Sequence, residues 1–219
     1  MRVAVKKLVL IVALGIGGWY WTGGNIPFLS PAGAYDKAGN PAVWFFTIEG
    51  CGKPCDTARN ELKRRRVDFD EKHIDPNNQD DEDVLFWKRN GRNSFPLIAS
   101  GGEKSIGPSS SMMATVLGLN FGDKYLTHNE KVLFKKHFYA DGSPKIVMYG
   151  ADWCGICKKL RTEFNDNDVD FIEIDVDKHA YKEKIVKAME IYGYPATWVG
   201  YTRVNGSTLK AVNQVLHSY

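Results

Sequence analysis

Apolar positions fall into two runs that lie about one hundred residues apart and are followed by the same succession of patterns. Ala42 to Ile48 and Ile146 to Tyr149 are apolar enough, and short enough, to predict buried strands. After a break rich in glycine and polar residues, each run leads into apolar residues at helical spacing, Ala58 and Leu62 in the first half, Leu160 and Phe164 in the second. Further helices are expected over Ser109 to Leu119 and over Thr127 to Phe138. The latter opens with Thr127-x-x-Glu130, in which side chain and backbone satisfy each other's unpaired groups. Leu209, Val212, Val215 and Leu216 predict a closing helix.

The repetition extends to individual residues. Cys55 lies twelve residues before Val67-Asp68-Phe69, and Cys157 lies twelve before Val169-Asp170-Phe171. Phe95-Pro96-Leu97-Ile98 then occupies the place that Tyr194-Pro195-Ala196-Thr197 holds in the second half. This is an internal duplication, and it implies two copies of one fold unit.

All four cysteines stand in the two breaks between strand and helix: Cys51 and Cys55 in a C-x-x-x-C, Cys154 and Cys157 in a C-x-x-C. A cysteine at a helix start meets unpaired N–H groups and the positive end of the helix dipole, which favour the thiolate. Cys154 is therefore expected to titrate below the free-cysteine value of about 8.5, with its sulfur open to solvent, and Cys157, under the first turn, above it. In the first pair, Lys53 is inserted before Pro54. A disulfide needs Cα atoms about 4.4–6.8 Å apart, which the longer spacer can meet, but the first cysteine is displaced relative to the helix. Lys53 should favour a thiolate there and Glu49 should oppose it. Redox activity, a structural disulfide and an idle vestige all fit the first pair.

Trp153, Cys154, Gly155, Cys157 and Lys158 resemble the W-C-G-x-C-K site of thioredoxins, and Gly193-Tyr194-Pro195-Ala196-Thr197 resembles the cis-proline loop of the thioredoxin and glutaredoxin superfamily. Val199 to Gly206 is similar to the short final hairpin of glutaredoxins. The resemblance covers roughly residues 41 to 219. It implies an α/β protein of two tandem thioredoxin-like domains, each a mixed sheet flanked by helices, that exchanges thiols and disulfides. Cys154 would be the nucleophile and Cys157 the resolving cysteine, with Cys51 and Cys55 as the second redox pair. Trp153, Tyr194, Pro195, Phe95 and Pro96 would line the edges where substrate pairs. The implied partners are protein thiols and disulfides and an upstream redox partner, with no cofactor beyond the disulfides. The stretch before Cys154 has Met148 where thioredoxins carry a buried acid, and neither break supplies the lysine with which glutaredoxins hold glutathione, so glutathione use does not carry over. Two other classes stay open: a binding module with structural disulfides, and a metal or iron–sulfur carrier.

Composition narrows the partners. The chain of 219 residues carries a net charge of +3, too little to argue for nucleic acid. Its one dense basic run, Lys63-Arg64-Arg65-Arg66, falls late in a predicted helix and reads as a solvated face. The five histidines are scattered and read as surface residues, and no metal ligand set is expected. At the N-terminus, Arg2, Lys6 and Lys7 precede an apolar or glycine run from Leu8 to Trp21. Its 14 residues span less than a hydrocarbon core of roughly 30 Å, as a cleaved signal would. Trp19, Tyr20 and Trp21 instead suit a membrane interface, as an uncleaved anchor would. Either leaves the bulk of the chain outside the cytoplasm, membrane-anchored or exported. The expected order is a signal or anchor over 1–24, a linker over 25–40, a first domain over 41–126, a linking helix over 127–141 and a second domain over 142–219.

Overall fold

The structure is a computed structural model and describes residues 33–219. The expected anchor and the first half of the expected linker lie outside these residues. Among those described, no helix is long and apolar enough to cross a membrane. Residues 34–219 form one compact unit.

Two tandem thioredoxin-like sheets organise that unit. The first contains β1 (Val43–Ile48), β2 (Asp70–Ile74), β3 (Leu97–Ser100) and β4 (Glu103–Ile106) in the order β2-β1-β3-β4. The second contains β5 (Ile146–Gly150), β6 (Phe171–Asp175), β7 (Ala196–Val199) and β8 (Thr202–Arg203) in the order β6-β5-β7-β8. In each, the first strand pairs parallel with the second and antiparallel with the third. The register matches too: Phe45 faces Glu71 as Met148 faces Glu173. The apolar runs thus became central strands, covered on both faces, with every residue of β5 buried.

Helices α1 (Lys53–Arg64) and α5 (Gly155–Asp166) follow the central strands. Each buries one stripe, Cys55, Ala58 and Leu62 in α1 and Cys157, Leu160 and Phe164 in α5, which seats a cysteine of each pair at the head of its core. Helix α2 (Glu82–Asn90) packs Val84 and Trp87 on the first sheet. Helices α6 (Lys182–Met189) and α7 (Leu209–Leu216) flank the second.

Between the sheets lie α3 (Ser110–Phe121) and α4 (His128–Phe134), the latter closed by the expected capping box of Thr127 and Glu130. Helix α3 does more than close the first domain. Met113 and Leu117 enter that domain's core while Ala114 joins the core of the second. Its Gly118 admits the ring of Tyr201, since a β-carbon there would lie 2.6 Å from the ring. The two domains therefore share a helix and form one body.

Three readings of the sequence are corrected by this packing. Arg65, in the basic run, is buried. Its guanidinium pairs with both oxygens of Glu130 at 2.6 and 2.7 Å, reaches Glu61 at 2.9 Å and meets the carbonyls of Ser110 and Tyr125. Helical phase decides this, because Arg65 stands at the end of α1 where α3 and α4 close over it, while Arg64 and Arg66 stay exposed. Removing one partner would strand the other charge in the interior, a loss of about 3–5 kcal/mol. His137 is likewise buried, not at the surface. Ala34, in the segment read as linker, is fully buried and exchanges backbone hydrogen bonds with Gly101, so the first domain begins before residue 41.

Candidate active site

Cys154 is the N-cap of α5, and the backbone N–H of Cys157 points at its sulfur from 3.1 Å. The two cysteines form a disulfide with Cα atoms 5.2 Å apart. The local sequence explains the geometry. Ala151, the first residue after the strand, accepts from the Cys154 N–H, and Gly155-Ile156 begins the helix, so that four residues turn the chain from sheet to helix. In this oxidised form Cys154 is only 4% exposed and Cys157 not at all, so the open sulfur expected for Cys154 is not seen. Bonded to Cys157, it packs in the core cluster with Ala151 and Leu160, and Tyr194 lies against that cluster.

The rim of the site is apolar and open. Trp153 is 71% exposed, and its indole N–H donates to Asp177 at 2.6 Å. Its ring centroid lies 6.0 Å from that of Tyr194, the residue before Pro195, and the Tyr194–Pro195 bond is cis. Ile156 is exposed beside it. Asp152 is exposed and paired with Lys178, whose hydrogen bond holds the Asp152 carboxyl below the usual range.

A pair joining α5 to β6 is one that sequence reasoning missed. Glu173 on β6 accepts two hydrogen bonds from Arg161 on α5, at 2.6 and 2.5 Å, and hydrogen bonding to Glu173 raises the Arg161 pKa. A β-carbon at Gly150 would lie 3.2 Å from Cys157 Sγ and 3.4 Å from Glu173 Oε1, so the strand passes both closely there. The duplication held the signal, because Arg59 and Glu71 stand at the matching places and also pair.

The first site is built differently. Cys51 and Cys55 are joined, with Cα atoms 5.8 Å apart, but the helix N-cap is Gly52, which offers no side chain to the first turn. Gly52 takes φ +58°, a left-handed conformation that glycine adopts without strain. The extra residue has therefore moved Cys51 one place off the helix end. The Phe95–Pro96 bond is cis like its counterpart. Phe95 stacks on Trp87 within its own domain, 4.7 Å between centroids, whereas Tyr194 stands beside an exposed tryptophan. In place of Gly150 this site has Thr47, whose hydroxyl donates to Glu71 at 3.5 Å.

A second buried polar group distinguishes the C-terminal domain. His137 meets the Gly200 carbonyl with Nδ1 and the Tyr149 hydroxyl with Nε2, each at 2.8 Å. A carbonyl only accepts, so Nδ1 carries the proton and Nε2 accepts from Tyr149. Burial disfavours the charged ring and lowers the His137 pKa to about 4. Among the described residues, no group of three or more His, Cys, Asp or Glu side chains is placed to hold a metal ion.

Residues 146–204 match the family model described as glutaredoxin. No curated protein matches the chain. Among solved structures, the glutaredoxin from Methanosarcina mazei Go1 is 22% identical over 36% of this chain and 95% of its own, with a TM-score of 0.29. One crystal form of ERdj5 is 15% identical over 83% of this chain and 28% of its own, with a TM-score of 0.28. The Leishmania glutathione transferase TDR1 is 10% identical over 81% and 66%, with a TM-score of 0.27. The chain thus spans little more than a quarter of ERdj5.

Proposed function

We propose that this chain, a member of the thioredoxin/glutaredoxin superfamily whose glutaredoxin match covers residues 146–204, is a thiol–disulfide oxidoreductase working chiefly through its second site. One observation carries the reading: Cys154 caps a helix with a backbone N–H aimed at its sulfur, is bonded to Cys157 and stands beside a cis-proline loop. The same N–H that meets the disulfide sulfur would stabilise a thiolate on reduction.

In the reductive direction the Cys154 thiolate attacks one sulfur of a substrate disulfide, and the substrate's other sulfur leaves as thiolate. Cys157 then attacks Cys154 in the mixed disulfide, closing the Cys154–Cys157 bond and releasing the second substrate thiol. The oxidising direction is the same path reversed. The substrates are protein disulfides, which pair along the edge formed by Tyr194 and Pro195 against the rim of Trp153. An upstream partner renews the dithiol, and the electrons travel through the cysteines with no bound cofactor. Cys51 and Cys55 form the auxiliary pair.

Reduction of insulin by the purified chain with dithiothreitol tests the activity. Acceleration that Cys154→Ser removes supports it, whereas an equal rate in that variant and the parent overturns it. The basic residues ahead of the apolar run support an extracytoplasmic position for residues 41–219, held by a membrane anchor or reached by export. A reporter fused after Tyr219 that works only outside the cytoplasm is expected to be active. Activity of a cytoplasm-only reporter there would refute it.

A further inference from the structure

A groove of about 380 Å³ lies between α4 and α6, lined also by Lys136 after α4 and by the loop that joins β6 to α6. Part of its lining is apolar. Ile185 is buried there, while Val132 and Tyr181 leave more than half of their surface to solvent. Its charge has one sign: Lys136, Lys184, His128 and His179 line it, and none of the described residues lining it is a carboxylate. Neighbouring lysines are neutralised, Lys131 by Asp123, Lys178 by Asp152 and Asp175, and Lys182 by Asp177. None of those three lines the groove, whereas Lys136 and Lys184 do and pair with no carboxylate among the described residues.

The cations are arranged around an aromatic ring. Lys184 Nζ lies 5.0 Å from the centre of the Tyr181 ring, and the His179 ring lies 6.0 Å from it. His179 Nδ1 accepts the Tyr181 backbone N–H at 3.1 Å, so the neutral ring carries its proton on Nε2 and is a donor there. The same loop reaches the cysteine site. Asp177 accepts the indole N–H of Trp153 at the rim, and His179 and Tyr181 stand two and four residues further on, a span of at most about 14 Å. The corresponding loop of the first domain, between β2 and α2, carries Asp75, Asp80 and Asp81 and no cation, and would repel the ligand that this groove attracts.

We propose that the groove docks an acidic segment, carrying one apolar side chain, of the polypeptide whose disulfide meets Cys154. The proposal rests on the oxidoreductase reading and names its substrate class. The apolar side chain lies against Val132 and Ile185, where its burial removes both surfaces from water. Carboxylates on either side of it meet Lys136, Lys184 and the Nε2–H of His179. A basic segment would bring like charges together, and an uncharged one would leave the cations unpaired, so charge selects among segments of similar shape. A chain held there keeps its disulfide close to Cys154, which raises the local concentration of that disulfide without any contact to the sulfurs.

Two peptides test this with the full chain and dithiothreitol as reductant: each has one internal disulfide, followed four residues later by Glu-Asp-Leu-Glu in one and Gln-Asn-Leu-Gln in the other. At low salt, kcat/KM for the acidic peptide is expected to exceed that for the neutral one by about fivefold or more. The ratio should shrink in about 1 M salt, where the screening length falls to about 3 Å. Lys136→Gln/Lys184→Gln and, separately, Val132→Asp should each bring it toward one. Fluorescence anisotropy of the same peptides with serine at both cysteines reads docking without chemistry and should show the same preference. A ratio of one in the parent, or a preference that the double lysine variant leaves at the parent's value, overturns the proposal, while reduction of either peptide keeps the oxidoreductase reading. Tighter binding of the acidic peptide with neither peptide reduced removes that reading and leaves the groove. A dimer of the chain that dissociates as the acidic peptide binds would give the groove to a second copy and would also overturn the proposal.

Discussion

The two cysteine sites are copies of one design that diverge at a few positions, and the divergence separates what both domains share from what only the second has. Both have the parallel and antiparallel strand partners, the cis-proline, the disulfide and an Arg–Glu pair joining the helix to the second strand. At the second site, however, a cysteine caps the helix, a glycine of the central strand packs closely against the second cysteine, and an exposed tryptophan frames the rim. At the first, glycine caps the helix, threonine takes the place of the strand glycine, and the aromatic before the proline turns into its own core. The same scaffold supports both, so the two sites differ at positions that leave the fold unchanged.

The largest expected difference is in catalysis itself. Cys154→Ser should reduce insulin reduction to that of dithiothreitol alone, while Cys51→Ser leaves most of the activity. Equal and complete loss from both variants would mean the two sites act in series as one relay, and the comparison as drawn would fail.

The next effect concerns stability and the buried imidazole. The register places Ala34 and Phe46 in the first domain where the second has His137 and Tyr149, and the Ala34 N–H meets the Gly101 carbonyl much as His137 Nδ1 meets that of Gly200. The His137 pKa is depressed to about 4 from an ordinary 6.5, so the unfolded chain binds the extra proton first as pH falls. The contribution of the neutral, buried histidine is complete above pH 6.5 and is lost as pH falls through 4, a change of about 3 kcal/mol. Urea unfolding measured between these pH values should show the slope. The double variant His137→Ala/Tyr149→Phe, which copies the first domain, should flatten it, and an unchanged slope would show that other groups carry the acid sensitivity.

Deletion of Lys53 gives a smaller and more direct test of the helix-end argument. It should bring Cys51 to the N-cap and raise its alkylation by iodoacetamide at pH 6.5 about fivefold, the order expected of a helix terminus. If the deletion folds and the rate does not rise, the extra residue is not what distinguishes the sites. Asp177→Ala, which frees the Trp153 indole, should have the least effect. It should raise KM for a peptide disulfide about two- to fivefold with kcat unchanged, the scale of one exposed hydrogen bond.

Much of this molecule was legible along the chain. Apolar runs marked the two central strands, helical spacing marked α1 and α5, and the recurrence of Val-Asp-Phe and of the late X-Pro exposed the duplication. Those signals are local: each depends on residues within a turn or a strand of one another, or on the repetition of such a stretch. Arg65, His137 and Glu173 carry no such mark. An arginine in a basic run is ordinarily solvated, and only the closure of α3 and α4 over the end of α1 buries this one. A lone histidine has no period, and its burial follows from the meeting of the 3₁₀ turn at Lys135–His137 with Tyr149 and Gly200. Glu173 lies 16 residues after Cys157, on β6, and only the parallel pairing of β5 with β6, with Met148 opposite Glu173, brings its carboxylate near Gly150. The sequence by itself determined the repeated elements, the cysteine spacing and the helix end, because backbone propensity and patterning act over short range. Which polar groups are buried, and which of them pair, was decided by tertiary structure, because desolvation and approach depend on partners far away in the chain.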